Sequence, residues 1–196
     1  YYNNSNKIES IIEYKVFDND SLKNGTAIFY FITGKLMQSG TYKNGEMDSL
    51  WTTYHHNGEL KRKVVYSNSL KNGPVISYHD NGNIMYEGVF VDGMLDGVMK
   101  LYYYNGNLKE SRNYSSNKLN GNSTGYYLNG NKSYVLNFSD SIKDGPFKRF
   151  YSSGSLQEEG LLKGQSFYGD YKSYYENGNL EKSYSWILQL YLSGQC

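Results

Sequence analysis

The sequence predicts an all-β fold built as a tandem array of 24-residue β-hairpins, about seven units long. Three observations predict it. A glycine recurs at Gly34, Gly58, Gly82, Gly106, Gly130, Gly154 and Gly178, each 24 residues after the one before. Equal spacings without an insertion identify an internal repeat, and a repeat decides the fold before any other signal. A second set stands nine residues ahead of these anchors, at Gly25, Ser49, Gly73, Gly97, Gly121, Gly145 and Gly169, with Ser49 the one departure. Aromatic residues keep fixed offsets from both sets, among them Tyr30, Tyr54, Tyr78, Tyr102, Tyr126, Phe150 and Tyr174, four before each anchor.

Residues 1–24 form a partial first unit. Tyr1-Tyr2, then Ile8 and Tyr14, resemble the second half of a repeat, with Asn6 where the anchor glycine belongs. Eleven residues separate Tyr14 from Gly25, against seven between Tyr66 and Gly73, so this link carries a four-residue insertion. Residues 25–186 are regular and read as strand, tight turn, strand. Asn57-Gly58, Asn81-Gly82, Asn105-Gly106, Asn129-Gly130 and Asn177-Gly178 are the preferred pair for a two-residue type I′ turn, which needs positive φ at both central residues. Thr33-Gly34 and Ser153-Gly154 are weaker versions.

Counting outward from a two-residue turn pairs the residues. The aromatic or histidine three before the anchor (Phe31, His55, His79, Tyr103, Tyr127, Tyr151, Tyr175) faces the residue two after, mostly leucine. The residue seven before faces the residue six after. The second glycine faces the aromatic eight after, where it leaves room for the ring to lie across the backbone. These pairs share one face, because side chains alternate along a strand. Ala27, Trp51, Val75, Met99, Ser123, Phe147 and Tyr171 occupy the slot seven before and make this the better-buried face. The opposite face carries the tyrosines four before the anchor, among Lys61, Lys100, Lys109 and Glu181. If the hairpins join into one sheet, those rings repeat every two strands, roughly 9–10 Å apart. Residues 187–196 break the pattern and read as an irregular cap over the edge of the last hairpin. No linker or domain boundary interrupts residues 1–196.

Composition fits a thin structure with much surface. Of 196 residues 38% are hydrophobic, and 23 are tyrosine, which packs through its ring while its tip stays wet. Twenty basic and 19 acidic side chains leave a net charge of +1, which steers neither nucleic acid nor anionic membrane. The longest apolar-leaning run, Trp186 to Leu192, is too short for a helix that spans a bilayer. Cys196 stands alone, so no internal disulfide forms and the redox compartment stays open. The sequence begins at Tyr1, without an initiator methionine, as a processed chain or a fragment would, and both cytoplasmic and exported locations are compatible with it.

No catalytic or cofactor-binding residues are identified. His55 and His79 occupy one slot in adjacent units, with His56 beside the first, and do not converge as a metal's three or four ligands must. Asp96 and Asp144 share a slot with Asn24, Asn72 and Asn120, an interchange that suits a turn and not acid–base chemistry. No phosphate-loop or nucleophile-elbow motif occurs. The candidate interaction surface is therefore the row Tyr30, Tyr54, Tyr78, Tyr102, Tyr126, Phe150 and Tyr174, whose rings pack against neighbours or stack on a bound partner.

The repeat resembles a known family. Asp96 to Leu108, Lys143 to Tyr151 and Tyr174 to Leu180 are similar to the variant form of the MORN repeat, and the likeness runs from about Tyr1 to Trp186. The resemblance implies an elongated, twisted, open-ended antiparallel sheet of successive hairpins, with no catalytic residues. It implies a scaffold that binds other proteins, and in bacteria the variant is frequent in proteins labelled YwqK-type antitoxins. The expected function is thus a non-enzymatic scaffold for a protein partner, in antitoxin-like form a neutralising one. The alternative is a cell-surface carbohydrate-binding module that uses the tyrosine row.

Overall fold

A computed structural model describes residues 8–17 and 20–186. Its strands are Ser10–Phe17 (β1), Asp20–Tyr30 (β2), Leu36–Lys43 (β3), Glu46–Tyr54 (β4), Leu60–Ser67 (β5), Leu70–Tyr78 (β6), Ile84–Val91 (β7), Met94–Leu95 (β8), Gly97–Tyr102 (β9), Leu108–Ser115 (β10), Lys118–Tyr126 (β11), Lys132–Ser139 (β12), Ile142–Phe150 (β13), Leu156–Lys163 (β14), Ser166–Tyr174 (β15) and Leu180–Trp186 (β16). The described residues contain no helix. They fall into two compact units: one runs to Asn107 and includes Ser115–Asn117, and the other comprises Leu108–Tyr114 and the chain from Lys118 onward. Within each unit, strands pair with their sequence neighbours, antiparallel, in chain order. The short β8 pairs with β7 beside β9. The expected all-β hairpin array is therefore the observed fold. The expected cap at 187–196, and Tyr1 to Asn6 of the partial first unit, lie outside the described residues. The first long strand, β2, has 11 residues against nine in β4 and β6.

The long-range pairing follows the sequence count. Ala27 faces Gly40, Trp51 faces Val64, Val75 faces Gly88 and Phe147 faces Gly160. Gly25 faces Tyr42, Gly73 faces Phe90 and Gly121 faces Phe138. The face so defined is the buried one, with Ala27, Trp51, Val75, Ser123 and Phe147 all under 4% exposed. Trp51 anchors the first unit, packing near Phe29, Tyr42 and Tyr66 at 5.0–6.5 Å between ring centroids.

The turn at the anchor differs from the expected type I′. The Gly34 amide donates to the Phe31 carbonyl at 2.8 Å, and the Phe31 amide to the Lys35 carbonyl at 2.8 Å. His55 and Glu59, His79 and Asn83, and Tyr103 and Asn107 repeat this closure around their own glycines. Only the glycine has positive φ, and none of Asn57, Asn81, Asn105, Asn129 or Asn177 does. This is a three-residue loop closed by glycine as a bulge. In consequence Leu36 faces Tyr30, not Phe31, and Leu60 faces Tyr54, not His55. A register shift just beyond, between Phe29 and Tyr30 in the first of these hairpins, restores the count for the pairs further out.

Asparagine precedes the glycine for another reason. Its Oδ1 accepts the amide two residues on, as Asn81 does from Asn83 at 3.0 Å. Its Nδ2 donates to the next repeat: Asn57 to the Asp80 carbonyl at 3.2 Å, Asn81 to Tyr104 at 2.8 Å and Asn129 to Ser152 at 2.8 Å. One amide side chain thus folds its own turn and ties it to its neighbour. The two-residue turns with positive φ at both centres are instead the links between hairpins, at Asn44-Gly45, Asn68-Ser69, Asp92-Gly93, Ser116-Asn117 and Asp140-Ser141.

The second glycine set also serves the backbone. Gly25, Gly73, Gly97, Gly121, Gly145 and Gly169 have φ between +63° and +127°, and Ser49 takes +60° in their place. Gly25, Ser49, Gly73, Gly145 and Gly169 sit where the pairing to the adjacent hairpin shifts, as between Val64↔Val75 and Tyr66↔Lys71, and Gly97 where it breaks off between β8 and β9. No aromatic ring covers these glycines. Rings lie over the backbone instead at Gly40, beneath Trp51, and at Gly125, beneath Tyr134, and Phe147 lies against Gly160.

Candidate interaction surface

All seven predicted surface residues, Tyr30, Tyr54, Tyr78, Tyr102, Tyr126, Phe150 and Tyr174, are half-buried. They end the first strand of each hairpin, on the face opposite the buried one. In the first unit no ring contact joins Tyr54 to Tyr78 or Tyr78 to Tyr102. What the structure brings together is each ring with charged neighbours. The Tyr102 hydroxyl donates to Glu87 Oε1 at 2.7 Å, and Lys100 Nζ reaches the same oxygen at 3.3 Å. The Tyr174 hydroxyl donates to Glu159 Oε1 at 3.1 Å, and Lys148 Nζ reaches Glu159 Oε2 at 3.0 Å. Glu181, expected on this face, instead accepts from the buried Ser173 at 3.0 Å, beside the register shift at Tyr174.

These contacts set the local electrostatics. The hydrogen bond from Tyr102, helped by Lys100, holds the Glu87 carboxyl below its usual range against the effect of burial. Burial, with Glu87 as acceptor, pushes the Tyr102 hydroxyl up to about 12. Lys148 above all, with Tyr174, lowers Glu159 in the same way.

The same furnishing recurs three repeats apart. One groove of ≈ 260 Å³ is lined by Pro74, Ile76, Glu87, Val89, Val98 and Lys100, and a second of ≈ 410 Å³ by their counterparts Pro146, Lys148, Glu159, Leu161, Asp170 and Lys172. The chain has two prolines, and both stand in these grooves. Both follow a glycine whose turned-out backbone leaves an unusual position open to proline.

The slot three before the anchor stitches repeats together. His55 Nε2 meets the Tyr78 carbonyl at 3.2 Å, Tyr127 OH donates to the Phe150 carbonyl at 2.7 Å, and Tyr151 OH to the Tyr174 carbonyl at 2.9 Å. His79 lies against Tyr104 at 5.2 Å, its Nε2 buried without a partner. His55 thus replaces tyrosine as a hydrogen-bonded link between hairpins, whereas His79 meets the next hairpin through its ring contact with Tyr104. Among the described residues no three His, Cys, Asp or Glu side chains converge as metal ligands. Asp96 accepts the Ser116 amide at 3.1 Å and Asn24 the Asn44 amide at 3.1 Å, so this slot caps the next link turn.

A polar cluster on the buried face escaped the sequence reading. Arg112 Nη2 contacts Glu110 Oε2 at 2.6 Å, and Tyr134 OH donates to Glu110 Oε1. Burial raises the Glu110 carboxyl, but Arg112 and Tyr134 outweigh it and leave it lowered. Further along, Arg149 contacts Glu158 at 2.6 Å and the Tyr171 hydroxyl donates to Glu158 at 2.7 Å. Arg112 and Ser123 occupying slots that elsewhere hold glycine or apolar residues was the available signal.

The model of the MORN repeat variant matches residues 23–44, 47–68, 71–92, 95–116, 143–163 and 167–187, most of the chain and in step with the hairpins. The chain belongs to the MORN repeat variant family. Its repeat is a non-catalytic type and suggests a repeat scaffold. The matched stretches leave out residues 117–142, the repeat that holds Ser123, Gly125 and Tyr134. No curated protein matches the chain. No helix of the described residues is long and apolar enough to cross a membrane.

Proposed function

We propose that this MORN-variant chain is a non-enzymatic scaffold that holds a protein partner on its tyrosine face. The observation that carries the reading is the recurrence of one furnished groove, Pro74–Glu87–Lys100 and Pro146–Glu159–Lys172, each beside a tyrosine bonded to its glutamate. Hairpin pairing alone does not require that recurrence. Half-exposed aromatic rings rimmed by hydrogen-bonding charges are the composition of protein interfaces. An antitoxin-like role is the form this takes if the partner is a toxin. The carbohydrate alternative has less support, because the Tyr102 and Tyr174 hydroxyls are committed to glutamates and every ring in the row is half-buried.

The test is photocrosslinking in the native organism. A benzophenone amino acid replaces Val98 or Asp170 on the tyrosine face, and Thr33 at a turn tip as control. A shared protein adduct at both groove positions and not at Thr33 supports the scaffold reading. Adducts at all three alike, or at none, sink it.

A further inference from the structure

The repeat of β11 and β12 keeps the hairpin but breaks the packing rule of the buried face. Trp51 covers Gly40, and Phe147 packs beside Gly160. In the repeat just before that of Phe147, Ser123 takes the slot that holds the ring in these two, and Arg112 stands at the position equivalent to Gly40. The volume that a ring would fill is left as a cavity of ≈ 170 Å³. Leu119, Leu136 and Phe138 form its apolar walls, and Glu110, Arg112, Ser123 and Tyr134 its polar end. A cavity of about 150 Å³ accommodates a benzene ring.

The polar end has unused hydrogen-bonding capacity. Ser123 is 3% exposed and its hydroxyl has no partner. A buried hydroxyl without a partner is destabilising, so such groups are nearly always satisfied. Arg112 offers five N–H donors, of which one contacts Glu110 at 2.6 Å and one reaches toward Tyr114 OH at 3.5 Å. The Glu110 and Arg112 charges cancel, so the site favours a neutral occupant.

We propose that this cavity binds a phenol ring, its ring against Leu119, Leu136 and Phe138 and its hydroxyl at Ser123 and the Arg112–Glu110 pair. A ring is the shape that Trp51, Phe147 and Tyr171 place in the equivalent slot, and a hydroxyl is what the orphaned Ser123 lacks. The phenol comes from a tyrosine side chain of a bound peptide or from a free small molecule. The inference rests on the second unit alone and stands apart from the scaffold reading of the tyrosine face.

The test is titration of the full chain with p-cresol and with toluene, followed by aromatic NMR shifts of Phe138 and Tyr134. The expected result is saturable binding of p-cresol, about tenfold tighter than toluene, the margin of a hydrogen bond made in a buried site. S123A should erase most of that margin while toluene still binds. S123F should abolish binding of both and remain folded, since Phe147 occupies the equivalent position. N-acetyltyrosinamide distinguishes the sources: competition with p-cresol admits a peptide tyrosine, and its failure beside saturable p-cresol binding assigns the site to free phenols. No saturation by p-cresol, equal affinity for toluene, or binding that survives S123F would overturn the proposal.

Discussion

Replacing Gly97 isolates what a single backbone angle contributes to the repeat. Gly97 has φ +96°, and a Cβ added there would meet nothing within 4 Å. Crowding is therefore absent, and any loss comes from the angle. An L-residue at positive φ is disfavoured by about 1–2 kcal/mol, and +96° lies well past the left-handed minimum near +57°. Alanine also stiffens the unfolded chain, which offsets about 0.4–1 kcal/mol. Gly97→Ala should thus destabilise by about 1 kcal/mol, and Gly97→Val by about 2–3 kcal/mol, since a β-branched residue tolerates the region least. Gly121→Val, at φ +89°, should behave similarly. Lys100→Val in the same strand removes one 45%-exposed ion pair at 3.3 Å and should change stability by under about 1 kcal/mol. Urea unfolding read at constant m gives the midpoints, and amide exchange in β9 shows whether the loss is local. Equal midpoints for Gly97→Val and Lys100→Val would refute the claim that positive φ holds the bulge.

Other perturbations separate the remaining contributions. Asn81→Ala removes the bonds to Asn83 N and the Tyr104 carbonyl and should cost about 1–2 kcal/mol; Asn81→Gly should cost as much, whereas in a type I′ turn glycine would be neutral, so a harmless Asn81→Gly in thermal unfolding would refute the observed turn. Trp51→Ala should cost about 3–5 kcal/mol by chemical denaturation, and Gly40→Ala about 1–3 kcal/mol because its methyl runs into the indole; loss of under about 1 kcal/mol in both would remove Trp51 from the core. The pH dependence has two arms. Glu87, Glu110 and Glu159 are depressed in the folded state, so their stabilisation is present above the ordinary value of 4.5 and is lost as pH falls below it. Tyr102 is raised from 10.0 to about 12, so its contribution is full below 10 and is lost as pH rises through 12; Glu87→Gln should bring its ionisation down in a carbon-13 tyrosine titration, and an unmoved value would contradict the contact.

Much of the fold was legible because the repeat over-determines it. The slot holding Ala27, Trp51, Val75 and Phe147 could be identified as the buried column from spacing and apolarity alone, and the same spacing placed Gly73 opposite Phe90. The turn type was not legible. Asn-Gly serves both a two-residue turn and a glycine-closed three-residue one, and the register shift beside the turn leaves both with the same count further along the strands. The link turns hid for a related reason: Asn68-Ser69 and Ser116-Asn117 adopt positive φ at both centres without a glycine, supported by contacts such as Ser69 Oγ to the Met47 amide at 3.0 Å. The tyrosine row was visible as a row, but its pairing with Glu87 and Glu159 depends on which strands lie adjacent and which way a bulge turns them, and no single repeat contains both partners.

The information about function in such a chain lies where residues change and the backbone does not. A hairpin needs its anchor glycine, its bulge and one buried column, and those demands recur every 24 residues. Pro74 and Pro146 satisfy them, as do Leu50 and Val98 in the same slot, so the hairpin does not select the proline. Ser123 and Arg112 go further and work against the fold. They set an orphaned hydroxyl and a guanidinium that must be paired in slots that elsewhere hold apolar or aromatic residues or glycine, while Ser123 still faces Leu136 in ordinary register. Neither propensity nor packing favours that exchange, since the hairpins on either side accept Met99 and Phe147 at the equivalent position. Stability given up at one point of a repeat whose neighbours keep it is what a binding site would require, and the phenol titration at the cavity beside Ser123 tests that reading.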